Sequence, residues 1–160
     1  MIPQPDVRAV DMPANRRSIT GRWFRNFQRY TWSSEYTGKP FLGKEIRVHV
    51  PSRYEFDGGS VPRIAWSMSG LTPEGKEIPA WMIHDLLYDT GGVLPYGQLE
   101  VKVDGFWMVK YKYFNRKEAD RLMLRILEDV GTEKRHRKWA YRMVRFFGGM
   151  GKRWGMPRVG

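Results

Sequence analysis

His84 and Tyr88 stand four residues apart, Asp85 sits beside the first of them, and Asp120 follows one helix later. These residue types can do acid–base chemistry: a carboxylate that holds an imidazole makes a general base, and a phenol can brace the carboxylate. Residues four apart stack on one side of a helix. On a wheel of about 100° per residue, the helix expected over Arg116–Val130 carries an apolar stripe of Ala119, Leu122, Met123, Ile126, Leu127 and Val130, with Leu124 at its edge. Asp120 falls inside that stripe, whereas Lys117, Glu118, Arg121, Arg125, Glu128 and Asp129 fall outside it. An acid on a core-facing stripe must be paired, hydrogen-bonded or protonated, because a bare buried carboxylate is costly. Side-by-side packing of the two helices lets Asp120 reach His84 or Tyr88. Such contacts serve a working site or a satisfied core equally well, and the spacing leaves both readings open.

The loop Phe56-Asp57-Gly58-Gly59-Ser60-Val61-Pro62 is the natural second wall of such a site. Gly58 and Gly59 permit positive φ and close backbone approach. Backbone carbonyls here, with the carboxylates of Asp57 and Asp85, would form an all-oxygen cation site suited to calcium or magnesium. The alternative for Asp57 is an Asx-turn that braces the loop. Zinc fits less well, since there is no Cys and the histidines (His49, His84, His136) are widely separated. Ser60 lacks the spacing of a nucleophile elbow.

The elements that position these residues follow from local signals. The helix bearing His84 is expected over Pro79–Thr90, with Pro79 in its first turn and Gly91-Gly92 as its stop. Its apolar face is read as Ala80, Ile83, Leu86 and Leu87, with His84 and Tyr88 on an adjoining face. Residues 21–56 read as strands. Arg29–Tyr36 is aromatic and β-rich, Thr37-Gly38-Lys39-Pro40 marks a turn, and Glu45–Val50 alternates with Ile46, Val48 and Val50 on one side and Arg47 and His49 on the other. Gln98–Val103 and Phe106–Phe114 suggest a hairpin around Asp104-Gly105. Asn115 with Glu118 predicts a capping box, and Thr132 is the expected cap of a third helix reaching about Phe147. The order of strands, helix, hairpin and two helices predicts an α+β fold, with a small antiparallel sheet packed with about three helices. A flexible arm is expected over 1–20, one domain over 21–147 and an irregular tail over 148–160.

At 160 residues the chain has the size of one domain and needs no staples for its core. It contains no Cys, which excludes disulfides and thiolate chemistry. No apolar run approaches the roughly 18–20 residues of a membrane span, and the N-terminus lacks the apolar stretch of a signal peptide. The net charge of +11 is uneven: residues 131–160 hold nine Lys or Arg and one acid, and the first thirty hold six Arg and two Asp. Basic ends suit an anionic partner, whether lipid, nucleic acid or acidic protein surface. The third helix would carry Trp139, Ala140, Met143, Val144 and Phe147 on one face, with Lys134, Arg135, Arg137, Lys138, Arg142 and Arg145 crowding the rest. That basic face is either simply solvated or a docking face for lipid or nucleic acid.

The three motifs Phe56–Pro62, Ile83–Tyr88 and Glu118–Arg121 together resemble an uncharacterised domain family of tailed bacteriophages and prophages, over roughly Ile46 to Phe147. The resemblance implies a phage origin and a place in the phage particle or the host cytoplasm. It also implies other particle proteins as partners, ahead of anionic membrane lipid and, lower still, nucleic acid. More loosely, His84-Asp85-x-x-Tyr88 followed by Asp120-Arg121 is similar to the core of phospholipase A-two enzymes. That similarity implies His84 as the base that activates water, Asp120 as its orienting carboxylate and Tyr88 as support. It further implies Asp85 as a calcium ligand and Gly58 and Gly59 in a calcium loop. Two functions are therefore expected in competition: a virion-associated or lysis-related protein with a calcium-assisted ester hydrolase site, and a non-catalytic tail or head–tail component.

Overall fold

A computed structural model describes residues 2–11, 14, 23–57, 75–150 and 154–155, with the backbone alone at 149 and 150. In chain order the described elements are β1 (Val7–Ala9), β2 (Phe24–Asn26), β3 (Tyr30–Glu35), β4 (Glu45–Val50), β5 (Glu55–Phe56), α1 (Ile78–Asp89), β6 (Leu99–Val103), β7 (Phe106–Val109), α2 (Arg116–Asp129) and α3 (Lys134–Met150). The fold is α+β, as expected, but its strands divide into two small antiparallel sheets, ordered β1-β2-β5 and β3-β4-β6-β7.

The larger sheet follows the alternation of its strands. Ile46, Val48 and Val50 are completely buried, while Arg47 and His49 take the other face. The register pairs Ile46 with Val101 and Val48 with Trp32 and Leu99, so each core-facing residue meets another across the ladder. Asp104 and Gly105 both adopt positive φ, 50° and 83°, and close the β6–β7 hairpin. β7 ends at Val109, short of the expected Phe114. After Lys110 the chain leaves β6 and pairs with the loop behind α1, through a Val93–Tyr113 bridge and a hydrogen bond from Phe114 N to Gly92 O at 2.9 Å.

The smaller sheet begins within the segment expected as a flexible arm. Val7–Ala9 pairs with β2, and the pairing continues through Val10 N to Trp23 O (3.0 Å) and Phe27 N to Asp6 O (2.8 Å). Main-chain bonding to an open strand edge requires no apolar period, so the composition of this segment did not betray it.

α1 is the central element. Pro79 to Tyr88 are all buried, so the helix has no solvent face and the expected division into an apolar and an adjoining polar side disappears. It packs against β4 and β5 on one side and against α2 on another; α3 covers α2. α2 buries the stripe read from its sequence, with Val130 only partly covered, and both bonds of the Asn115–Glu118 capping box form at 2.9 Å. Thr132 does not cap the third helix. Its hydroxyl donates instead to Oε1 of the buried Glu77 at the head of α1 (3.3 Å), and the helix starts two residues later. α3 continues past Phe147 through Gly148 to Met150.

The stop after α1 is sterically exacting at one residue. Gly92 has φ of 86°, and a Cβ there would lie 1.8 Å from the carbonyl oxygen of Phe114. Gly97 has a similar φ of 80° with nothing within 4 Å of the same position. Gly97→Ala is expected to cost about 1 kcal/mol from backbone strain alone, and Gly92→Ala clearly more, because the Phe114 backbone must move. Urea denaturation of the two variants checks this; equal losses would show that the close approach is not required.

Candidate functional site

Three helices place one side chain or more around a single carboxylate. His84 and Tyr88 project from α1 one turn apart, their rings 4.3 Å apart between centroids. Asp120 comes from α2, one turn after the Asn115 cap that fixes the helix start, and is completely buried, as are His84 and Tyr88. His84 Nε2 lies 2.7 Å from Asp120 Oδ1, and the Tyr88 hydroxyl donates to the same oxygen at 2.7 Å. The second oxygen, Oδ2, accepts from Arg145 Nη1 of α3 at 2.8 Å. The sequence thus brought together His84, Tyr88 and Asp120 as expected, and missed Arg145. An Arg flanking an apolar stripe reads as one more solvated cation; no signal in the sequence separates it from Arg142 or Lys138.

Electrostatics fix the protons in this cluster. Burial pushes the Asp120 carboxyl up, but hydrogen bonds from His84, Arg145 and Tyr88, with the attraction of His84, outweigh it and hold the carboxyl below its ordinary value. Burial, and then the neighbouring Asp120 charge, push the Tyr88 phenol far above its ordinary value, so it stays a donor. The hydrogen bond to Asp120 strengthens the protonated state of Arg145. An ionised carboxylate only accepts. Nε2 of His84 must therefore carry the proton it shares with Asp120, and in the neutral ring Nδ1 holds the bare lone pair. Among the described residues Nδ1 has no hydrogen-bond partner, although it is buried.

His49 offers the contrast. It bridges Thr31 Oγ1 at 2.7 Å through Nδ1 and Glu100 Oε2 at 2.6 Å through Nε2, across three strands. Both ring nitrogens are used, which makes it a cross-strand brace. His84 has one nitrogen oriented by a carboxylate and the other unspent, which is the arrangement a base needs.

Close packing completes the surroundings of Tyr88. A Cβ on Gly148 would stand 2.7 Å from the Tyr88 hydroxyl oxygen, so a glycine at this point of α3 is what admits the phenol. Trp154 meets the Tyr88 ring edge-on at 5.1 Å, and Gly155 N donates to the Tyr88 carbonyl at 2.7 Å. The sequence assigned these glycine and tryptophan positions to an irregular tail.

Asp57, directly after β5, and Asp85, on α1, are both completely buried, and both have interaction partners. Gly58, Gly59 and Ser60 lie outside the described residues. Among the described residues no group of three or more His, Asp or Glu is placed to hold a metal ion.

Asp120→Asn places an amide donor where three donors already converge. Removing one partner of a buried charged network costs roughly 3–5 kcal/mol, and this loss is expected in chemical denaturation at pH 7. The pH dependence has a defined sign. The folded carboxyl titrates below its ordinary value of 3.8, so its stabilisation is complete above that pH and is lost as pH falls through the lower folded value. The Asn variant should lose less stability than the wild type on acidification through that window; parallel curves would show that Asp120 is not ionised in the fold.

The comparisons with known proteins address the chain's kinship. Residues 40–144 match the family described as protein of unknown function (DUF1353). No curated protein and no solved structure matches the chain. The matched stretch includes His84, Tyr88 and Asp120 and stops one residue short of Arg145. The chain belongs to the DUF1353 family.

Proposed function

We propose that the protein is phage-encoded and that the His84–Asp120 cluster is the general-base half of a hydrolase site. The observation that supports this is the orientation of His84: Asp120 engages Nε2 and leaves the Nδ1 lone pair unmatched among the described residues. In this reading Nδ1 takes a proton from a water molecule as that water attacks an ester carbonyl. The resulting imidazolium is stabilised through Nε2–H by Asp120. Tyr88 and Arg145 keep that carboxylate ionised and fixed while charge appears on the ring. His84 then returns the proton to the departing alkoxide. A calcium ion, if bound by Asp85 as the phospholipase resemblance implies and by Asp57 of the neighbouring loop, would polarise the carbonyl. The exposed cations Lys134, Arg135, Lys138 and Arg142 of α3 suit an anionic lipid surface.

A specific observation favours a second reading. His84 is completely buried, so an ester reaches Nδ1 only if the packing over the imidazole opens. A cluster that joins three helices around a completely buried carboxylate also serves as the keystone of a non-catalytic particle component, whose partners would be other particle proteins.

Hydrolysis of phosphatidylglycerol vesicles and of a soluble short-chain ester, with and without calcium, separates the two. The hydrolase reading expects turnover by the wild type, and a loss of about 10²–10⁴-fold in His84→Gln with the circular dichroism spectrum unchanged. No turnover by the wild type on either substrate, together with a large drop in the melting temperature of His84→Gln, would leave the keystone reading.

A further inference from the structure

Apart from the His84 cluster, a cleft of about 530 Å³ opens between the turn after β3 and the outer side of α2. Tyr36, Gly38 and Lys39 line it from the turn, and Glu118, Arg121 and Arg125 from the helix. Its volume falls within the roughly 300–1,000 Å³ of small-molecule sites.

The charges in the cleft do not cancel. Glu118 is taken up by Lys112 Nζ at 3.0 Å and by the backbone N–H of Asn115 at 2.9 Å. Arg125 is turned toward Ser34 Oγ (3.1 Å), Glu128 (3.4 Å) and Asp129 (3.3 Å), so it contributes positive potential but no free fork. Lys39 and Arg121, both exposed, make no ion pair or side-chain hydrogen bond among the described residues. Two free cations therefore face one cavity from two different elements. Tyr36 supports the turn that carries Lys39. Its ring is buried beneath Gly38, where a Cβ would stand 2.6 Å from the ring's Cζ and hydroxyl oxygen, so the turn sits directly on the phenol. Burial, and then Glu118, push the Tyr36 phenol up to about 12, which keeps it protonated and uncharged at the cleft's base.

We propose that this cleft binds the phosphate group of a small phosphate monoester, with Arg121 and Lys39 as its direct ligands. A phosphate dianion matches two unpaired cations, and a guanidinium presents paired donors to its oxygens. A monocarboxylate would leave one cation unmatched. The cavity is larger than a phosphate ion and leaves room for the ester's organic part.

Isothermal titration of the full chain with ribose 5-phosphate and with inorganic phosphate tests the proposal. Ribose 5-phosphate should bind the wild type more tightly than inorganic phosphate. Lys39→Gln and Arg121→Gln, both on exposed side chains, should each weaken it tenfold or more. A chain as basic as this one attracts anions everywhere, so Arg29→Gln/Arg53→Gln, which removes two exposed cations at the end of the β3–β4 pair away from the cleft, is the control and should bind as the wild type does. Equal weakening in the control, unchanged affinity in both cleft variants, or no binding of either phosphate would overturn the proposal. So would binding confined to phosphatidylglycerol vesicles, because it would assign the two cations to a lipid surface instead of a soluble ester.

Discussion

The structure depends on keeping one completely buried carboxylate ionised. Asp120 lies inside the apolar stripe of α2, and the cost of burying its charge is offset only because each oxygen is met: Oδ1 by His84 and Tyr88, Oδ2 by Arg145. Those partners come from α1 and α3. The three helices thus share a requirement stricter than apolar packing, since hydrophobic surfaces tolerate small shifts and a charged hydrogen-bond network does not. Helix α1 can be buried on all sides because its polar residues have been given partners. α3 can approach Tyr88 because Gly148 removes the one Cβ that would stand in the way.

What could be read from the sequence follows the range of each interaction. Asp120 was legible because a 3.6-residue period displays any polar residue that intrudes on the apolar side. His84 and Tyr88 were legible because one turn of helix separates them. The Asn115–Glu118 cap and the Asp104-Gly105 turn are local chemistry and appear where expected. Arg145 was not legible, because its role is set by the angle at which α3 crosses α2, and its neighbours in sequence are equally basic. Thr132 misled for a related reason: its hydroxyl had a choice between its own helix and Glu77, fifty-five positions away, and the tertiary partner won. The division of the strands into two sheets was hidden too, since main-chain pairing between Val7–Ala9 and Phe24–Asn26 leaves no mark on side-chain composition.

The two histidines of the described core show why tautomer matters more than burial when a site is weighed. His49 and His84 are both buried and both touch a carboxylate. His49 spends its other nitrogen on Thr31, and its imidazole is a rivet between strands. His84 spends only one. The difference between brace and base resides in a single lone pair, and burial alone would have ranked the two residues together.

The pairing of Tyr88 with Gly148, Trp154 and Gly155 has a bearing on synthesis. α1 emerges from the ribosome with His84, Asp85 and Tyr88 in an otherwise apolar helix, while Asp120, Arg145 and Trp154 have yet to be made. Until α2 and α3 follow, only the side of the helix that packs on β4 and β5 has its partner, and the rest remains a sticky, half-satisfied surface. Domains complete their folding as units and exposed intermediates aggregate, so the hazard for this chain lies in the interval before α2 and α3 arrive.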